Sequence, residues 1–266
     1  MLKVGVTRLD ICMEDKELTK SRCLSIMEEA AAAGVELLVF PEMTLVGFTM
    51  HPEPVAEGFE NGKIPESISF FMRNSRKYNM AVAFGYIEKS MTEEGYIYEN
   101  KLALVKGDNC VMDYVKLHPF TFDGEDKVYK KGSRLAQAKV KDAHIGGYIC
   151  YDVRFPEIFT AARDRYDTIL VIANWPEERA AQWEALLKAR AIENQAYVIG
   201  VNRVGEGNGK KYIPGSYVFD YLGNEITTEI SPVLSVADID TKKVAELRES
   251  FPQKYDRRVE LYKELL

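Results

Sequence analysis

The sequence alternates short apolar runs with longer segments of helical periodicity, and this pattern constrains the fold most. Residues 2–7 and 35–40 are rich in Val and Leu, as buried strands are. Residues 17–33 and 179–195 place apolar side chains three and four positions apart, as amphipathic helices do. The alternation predicts an α/β architecture, and a hairpin at residues 96–117 predicts that its sheets are mixed. Many strands and few helices for this length favour two sheets with helices outside.

Two polar segments interrupt the alternation. Residues 118–134 form a long loop with two glycines, and loops of this length are usually functional or mobile. Residues 205–211 are rich in glycine, but their spacing fits neither phosphate-binding nor dinucleotide-binding motifs, so we expect a flexible loop there. Since the chain contains no linker, repeat or low-complexity tract, residues 1–266 are predicted to form a single domain.

Composition excludes several classes of protein. A hydrophobic fraction of 46% and a charged fraction of 29% indicate a packed core rather than disorder. The net charge of −6 disfavours a nucleic-acid partner, because phosphate binding requires a basic surface. The N-terminus reads as a strand and no apolar run is long enough to span a membrane, so we expect a soluble, cytoplasmic protein without a membrane partner. The four cysteines and three histidines lack zinc-site spacing, and no metal is expected.

Three of the strand-like runs end in a reactive side chain: Glu42, Lys116 and Cys150. These are a carboxylate, an amine and a thiol, which can serve as a base, a cation and a nucleophile. If the fold brings the three ends together, the chain is a cysteine hydrolase. If it does not, they are a strand-end acid, a surface lysine and a buried cysteine.

Cys150 is the candidate nucleophile because a turn from strand to helix is predicted at its position. Such a turn exposes the side chain and directs free backbone N–H groups at it. Those groups can stabilise a thiolate and hold a developing oxyanion. The alternative is a structural cysteine, since free cysteines are among the most buried residues.

Three further side chains have both a catalytic and an ordinary interpretation. Glu42 can act as a general base on a thiol, or it is a solvated acid. Lys116 can balance the charge of a tetrahedral intermediate, or it is a surface lysine. Glu125, in the long loop, can orient Lys116 or accept a proton, or it is a solvated loop acid.

Taken together, several segments resemble the nitrilase superfamily of carbon–nitrogen hydrolases. They occur in family order and cover nearly the whole chain. The matching segments are Phe40–Met43, Tyr114–His118, Cys150–Glu157, Ala173–Pro176, Ala189–Asn194 and Val201–Arg203.

The resemblance implies a four-layer αββα sandwich of two mixed β-sheets, with Glu42, Lys116 and Cys150 as the catalytic triad. Glu125 falls where family members often have a second glutamate, and the oxyanion hole would consist of Lys116 and the Tyr151 N–H. No metal or organic cofactor is implied. Family members usually dimerise, so the resemblance places residues 251–266 as a C-terminal tail at a homodimer interface.

Within the superfamily, Cys150 followed by Tyr151 and Asp152 looks like the amidase branch. Other details look like bacterial omega-amidases, whose substrates are α-keto acid amides such as 2-oxoglutaramate and 2-oxosuccinamate. The alternatives are an N-carbamoyl-amine hydrolase, an amidase of deaminated glutathione, or a non-catalytic dimeric scaffold. The sequence departs from the family pattern at Pro119 and at residues 99–101, which leaves the substrate open.

A keto-acid substrate carries a carboxylate, which requires a cation or N–H donors. Arg154 is close to Cys150 in sequence, although an internal ion pair with Glu157 or Asp152 is slightly favoured. Asn174 and Trp175 end a predicted core strand and are candidates for the pocket wall. Arg190 and Glu193, three positions apart on one helix, are interpreted as a structural pair.

Overall fold

A computed structural model describes residues 1–60 and 62–265. The strands are β1 (Leu2–Thr7), β2 (Leu37–Val39), β3 (Ala81–Thr92), β4 (Gly95–Lys106), β5 (Asn109–Val115), β6 (Ala136–Val140), β7 (Ala143–Ile149), β8 (Thr168–Ala173), β9 (Tyr197–Asn202), β10 (Gly205–Gly207), β11 (Lys210–Tyr212), β12 (Tyr217–Phe219), β13 (Thr228–Ser231) and β14 (Leu234–Ile239). The α-helices are α1 (Lys16–Ala32), α2 (Glu66–Tyr78), α3 (Pro156–Ala161), α4 (Ala180–Asn194), α5 (Thr241–Ser250) and α6 (Val259–Leu265).

Two mixed sheets stack face to face and carry helices on their outer faces. The larger sheet has the order β13-β14-β1-β2-β3-β4-β5, and the smaller one has the order β12-β9-β8-β7-β6. Apolar side chains of both sheets form one core between them, as Leu102 and Met112 illustrate where they pack against Gly147 of β7. Helices α1 and α2 cover the larger sheet, while α4 packs on β9 and β12 of the smaller one. The predicted four-layer αββα sandwich is therefore confirmed.

Strand direction brings several loops to the same edge of the sandwich. Strands β1, β2 and β3 are parallel, and β5 runs in the same direction because two antiparallel pairings separate it from β3. In the other sheet, β7, β8 and β9 are parallel. The carboxyl ends of parallel strands lie at one edge, so residues that follow β2 and β5 lie near each other, as do those that follow β7 and β8.

Helix α1 shows how the local sequence fixes an element. Asp15 caps its N-terminus by accepting a hydrogen bond from the Leu18 N–H at 3.0 Å. Cys23 and Met27 lie four positions apart on its buried face. Gly34, which follows the last turn, has a φ of +73° and ends the helix as predicted.

Three sequence predictions need correction. Residues 205–211 are not an irregular loop, because β10 and β11 pair as an antiparallel hairpin. The sequence also predicts a short helix from Pro156 to Arg165, because proline suits the first helical position, but the helix ends at Ala161 and continues only as a short 3₁₀ turn, Arg163–Arg165. The long loop at 118–134 contains two 3₁₀ turns, Thr121–Asp123 and Glu125–Lys127, which order its centre.

The C-terminal tail carries exposed apolar side chains. These include Phe251, Tyr255 and Tyr262, and the tail ends in α6. Its place at a homodimer interface stays a prediction. In the described part of the chain, no helix combines the length and the apolar character needed to cross a bilayer.

Candidate active site

The carboxyl edge of the sandwich brings the predicted acid, amine and thiol together. Glu42 follows β2, Lys116 follows β5 and Cys150 follows β7. Lys116 Nζ lies 3.0 Å from Glu42 Oε1 and 2.8 Å from Glu125 Oε2. Glu42 and Glu125 are fully buried and Lys116 is 1% exposed, so the solvated-acid and surface-lysine interpretations are wrong. The ammonium between the two carboxylates offsets part of the cost of burying their charges.

Asn100 is a member of this cluster that sequence reasoning missed. Its Nδ2 donates to Glu42 Oε1 at 2.7 Å and to Glu125 Oε1 at 2.9 Å. Its backbone carbonyl accepts from the Lys116 backbone N–H at 2.9 Å. The two N–H groups of one amide therefore fix two carboxylates in place. The departure from the family pattern at residues 99–101 was visible in the sequence, but only the pairing of β4 with β5 shows what Asn100 contacts.

Glu42 is positioned by backbone as well as by side chains. Its Oε2 accepts from the Asn174 N–H at 2.9 Å, and its carbonyl accepts from Asn174 Nδ2 at 2.7 Å. Gly85 packs so closely that a Cβ there would lie 2.8 Å from Glu42 Cα and 2.3 Å from the Met43 nitrogen. Met43 itself has a φ of +45°. The glycine is required because the strand that carries it touches the backbone that presents Glu42.

Glu125 anchors the long loop to the same cluster. Its Oε2 accepts from the Phe120 N–H at 2.5 Å as well as from Lys116 Nζ. The 3₁₀ turn that begins at Glu125 follows Gly124, whose φ is +79°. The loop is therefore folded around the buried carboxylate of Glu125, which these donors satisfy.

Cys150 occupies the predicted turn between strand and helix. It has a φ of +47° and begins the 3₁₀ turn Cys150–Arg154. The turn is held by buried Asp152, whose carboxylate accepts from the Ile149 N–H at 3.0 Å and from the Tyr114 hydroxyl at 2.7 Å. Asp152 also accepts from the His118 N–H at 3.0 Å. A left-handed conformation at a residue other than glycine persists only where its surroundings enforce it, as they do here.

Charges around the thiol set its resting state. Desolvation of the partly buried thiol raises the pKa of Cys150 well above its usual value, and the negative charge of Glu42 raises it further. Burial opposes the charge of Lys116, but Glu125 and Glu42 outweigh it and raise the pKa of Lys116 well above its usual range. At neutral pH the site therefore holds a thiol and an ammonium, and nucleophilic attack by the sulfur requires a base.

The thiol faces a pocket of about 440 Å³, its open mouth included. Asn174, Trp175 and Arg154 all line it, as does Tyr151. The remaining lining residues are Phe48, Lys116, Phe120, Asp123, Pro176, Arg179, Lys210 and Tyr212. Aromatic rings with a few polar and charged groups line the pocket, as they do in small-molecule sites.

The internal ion pair expected for Arg154 is wrong. Its guanidinium lies 4.8 Å from the centre of the Trp175 ring and donates to Gln182 Oε1 at 2.6 Å.

The structural pair predicted on helix α4 is confirmed: Arg190 and Glu193 form a salt bridge of 2.9 Å. In residues 1–60 and 62–265, no three His, Cys, Asp or Glu side chains are grouped to hold a metal ion.

Comparisons with known proteins show which family the chain belongs to. Residues 3–249 match the family described as "Carbon-nitrogen hydrolase". The chain belongs to this family. It is 34% identical over 225 residues to "Omega-amidase YafV" of Yersinia enterocolitica, covering 83% of this chain and 84% of the relative. It is 28% identical to "2-oxoglutaramate amidase" of Bacillus subtilis (strain 168), covering 88% of this chain and 89% of the relative.

A solved structure also shares the fold of this carbon–nitrogen hydrolase. The protein XC1258 of Xanthomonas campestris superposes with a TM-score of 0.84 at 28% identity, covering 96% of this chain and 97% of that one. It is described as a CN-hydrolase superfamily protein with an arsenic adduct in the active site. The chain is thus an enzyme of the nitrilase superfamily that hydrolyses non-peptide amides.

Proposed function

We propose that the enzyme hydrolyses the omega-amide of a small α-keto acid, such as 2-oxoglutaramate or 2-oxosuccinamate, to a carboxylate and ammonia. The observation that carries the proposal is the position of Cys150 in a small pocket beside the buried Glu42–Lys116–Glu125 cluster. The names of the omega-amidase and 2-oxoglutaramate amidase relatives support this substrate class.

In the proposed acylation, Glu42 takes the proton of the Cys150 thiol as the sulfur attacks the amide carbonyl. The carbonyl oxygen becomes an oxyanion held by Lys116 Nζ and the Tyr151 N–H. The first N–H groups of a helical turn have no partner within the turn, so that of Tyr151 is suited to this role. The intermediate then collapses, Glu42 returns the proton to the departing nitrogen, and ammonia leaves a thioester on Cys150.

In the proposed deacylation, Glu42 takes a proton from water as the water oxygen attacks the thioester carbonyl. The same donors hold the second oxyanion. When the carbon–sulfur bond breaks, Glu42 returns the proton to the Cys150 sulfur and the acid product is released. Glu125 does not transfer a proton in this scheme: its contacts with Lys116 and Asn100 keep the cation in position.

The far end of the substrate is proposed to lie against Arg154 and Trp175. The stacked guanidinium has donors left for a carboxylate after its single bond to Gln182. Asn174 lines the same wall while it holds Glu42, so the pocket and the base share one support.

The decisive experiment is Cys150→Ser, measured as release of ammonia from 2-oxoglutaramate. We expect a loss on the order of 10³-fold or more with an unchanged unfolding midpoint, because a serine hydroxyl is far harder to ionise than a thiol. Cys110→Ser, which alters an exposed free thiol, is the matched control and should retain full activity. Full activity in the Cys150 variant would contradict the nucleophile, and no ammonia from any keto-acid amide with the unaltered enzyme would contradict the substrate class.

A panel of substrates separates the remaining alternatives of the same chemistry. N-carbamoyl amines yield carbon dioxide together with ammonia, whereas simple amides yield ammonia alone. Deaminated glutathione carries a much larger acid portion than 2-oxoglutaramate, and one relative, from Dictyostelium discoideum, is named for that amidase activity. The pocket encloses little free space beside the thiol, which favours the smaller substrate.

A further inference from the structure

Two arginines line the active-site pocket without a carboxylate to balance them. Four cationic side chains line it: Lys116, Arg154, Arg179 and Lys210. Lys116 is paired with the buried glutamates, and Lys210 Nζ lies 2.5 Å from Asp123 Oδ2. Within residues 1–60 and 62–265, neither arginine has an acidic oxygen within 4.0 Å, so the mouth of the pocket carries two uncompensated positive charges.

Arg179 is held in position by its backbone and by an aromatic ring. It ends the 3₁₀ turn Glu177–Arg179 that follows β8, and its carbonyl accepts from Trp175 Nε1 at 2.8 Å. Its guanidinium lies 5.4 Å from the centre of the Phe120 ring. The side chain is half-buried, and no hydrogen bond from its guanidinium to the described part of the protein is formed.

Such a guanidinium has lost part of its water without gaining an acceptor from the protein. Its planar set of N–H donors matches a carboxylate, which it binds through two parallel hydrogen bonds. Contact with the Phe120 ring restricts the side chain, so less freedom is lost when an anion binds. Arg154, which lies over the Trp175 ring, presents a second guanidinium to the same pocket.

We propose that Arg179 is a specificity-determining residue which, together with Arg154, binds the free carboxylate of the substrate. The inference rests on the proposed function and extends it: an anionic group at the end remote from the scissile amide is a requirement rather than a preference. An α-keto acid offers two carboxylate oxygens and a keto oxygen, enough acceptors for two guanidinium groups. A neutral amide would bury both cations without a partner and be rejected.

The test compares 2-oxoglutaramate with pentanamide, a neutral amide with the same number of carbon atoms, in Arg179→Gln and Arg179→Lys. We expect Arg179→Gln to lower kcat/KM for 2-oxoglutaramate roughly 10- to 100-fold, mainly through KM. Pentanamide hydrolysis should rise rather than fall, because the variant leaves one cation fewer without a partner. Arg179→Lys should lie between, because it keeps the charge and loses the bidentate geometry.

Lys211→Gln is the matched control. Lys211 lies next to Lys210, but its side chain is exposed, pairs with Glu177 at 3.3 Å and does not line the pocket. It removes the same charge nearby and should leave both substrates unchanged. Equal losses on both substrates in Arg179→Gln, or no loss on either, would overturn the role of Arg179. If the unaltered enzyme does not favour the anionic amide, the proposed substrate class fails instead.

Discussion

Charged side chains are paired with one another in the buried cluster, whereas the two arginines at the mouth of the pocket have no partner of opposite charge in the described part of the chain. In the cluster, Glu42, Lys116 and Glu125 are out of contact with water and linked by bonds of 2.8–3.1 Å. At the mouth, Arg154 and Arg179 are half-buried and have no acidic partner among the described residues. The two regions share one wall, since Asn174 holds Glu42 and also lines the pocket.

The difference separates the chemistry from the choice of substrate. The cluster is complete before a substrate arrives, so its charges need not reorganise during the reaction. The two arginines at the mouth lack an acidic partner in the residues that the structure describes, and an anionic ligand would supply one. Changes in the cluster should therefore affect turnover of every amide, whereas changes at the mouth should affect affinity for anionic amides.

The largest effect is expected from Glu42→Gln. Without a base the Cys150 thiol loses its proton acceptor, and kcat should fall on the order of 10²- to 10⁴-fold for neutral and anionic amides alike. The negative charge of Glu42 raises the pKa of Cys150, so removing it should lower that pKa. Alkylation by iodoacetamide should then reach its midpoint at lower pH in the variant.

Turnover and thiolate formation therefore change in opposite directions in Glu42→Gln. The measurement is kcat beside the pH dependence of alkylation, with the Cys110→Ser background used to remove an exposed competing thiol. An alkylation midpoint at higher pH would show that Glu42 does not raise the pKa of the thiol. A variant that keeps its turnover would show that another group is the base.

The next effect concerns stability. Lys116→Met leaves Glu42 and Glu125 buried with no cation between them, which should cost on the order of 3–5 kcal/mol of unfolding free energy at pH 7. Although burial lowers it, the pKa of Lys116 is raised well above its usual value by Glu125 and Glu42, so the ammonium stabilises the folded form in full at any pH below the usual lysine pKa. As the pH rises past that value the unfolded chain loses the proton first, so the deficit should shrink at alkaline pH.

Urea denaturation at several pH values measures this deficit. Lys106→Met is the matched control, because Lys106 ends β4 and is exposed. It should cost less than about 0.5 kcal/mol at any pH. A deficit in Lys116→Met that stays constant with pH would argue that the loss comes from packing rather than from unpaired carboxylates.

The sequence predicts the meeting of Glu42, Lys116 and Cys150 because parallel strands end at one edge and each residue follows an apolar run. It does not predict Asn100, because an amide inside a strand is recognised as a ligand only once the neighbouring carboxylates are located. The same holds for Asp152, whose partners come from distant segments.

Two other features depend on tertiary contacts that local patterns do not encode. Strands β10 and β11 were expected to be a flexible loop because glycines dominate them, yet they pair, and Lys210 is tied to the long loop through Asp123. Arg154 has acidic residues nearby in sequence, but stacking on Trp175 and a bond to Gln182 determine its position instead. Asp123 and the two partners of Arg154 lie far away along the chain, although the pairing of β10 with β11 is itself local.

The smallest effect is expected from Asp123→Asn at the mouth. The change frees Lys210, whose charge Asp123 balances, and adds a third cation to the pocket wall. The pair is partly exposed, so its contribution is modest, and KM for 2-oxoglutaramate should fall about two- to threefold. Added salt should abolish the difference, because it screens partly exposed charges, while kcat stays unchanged.

Glu177→Gln is the control for Asp123→Asn, since it frees Lys211, which does not line the pocket. It should leave KM within about 1.5-fold, in keeping with an exposed ion pair. A rise in KM or a fall in kcat for Asp123→Asn would mean that the bond to Lys210 holds the β10–β11 hairpin against the long loop. The charges at the mouth would then be paired for structural reasons, as they are in the cluster. Changes at the mouth would in that case affect turnover as well as affinity for the substrate.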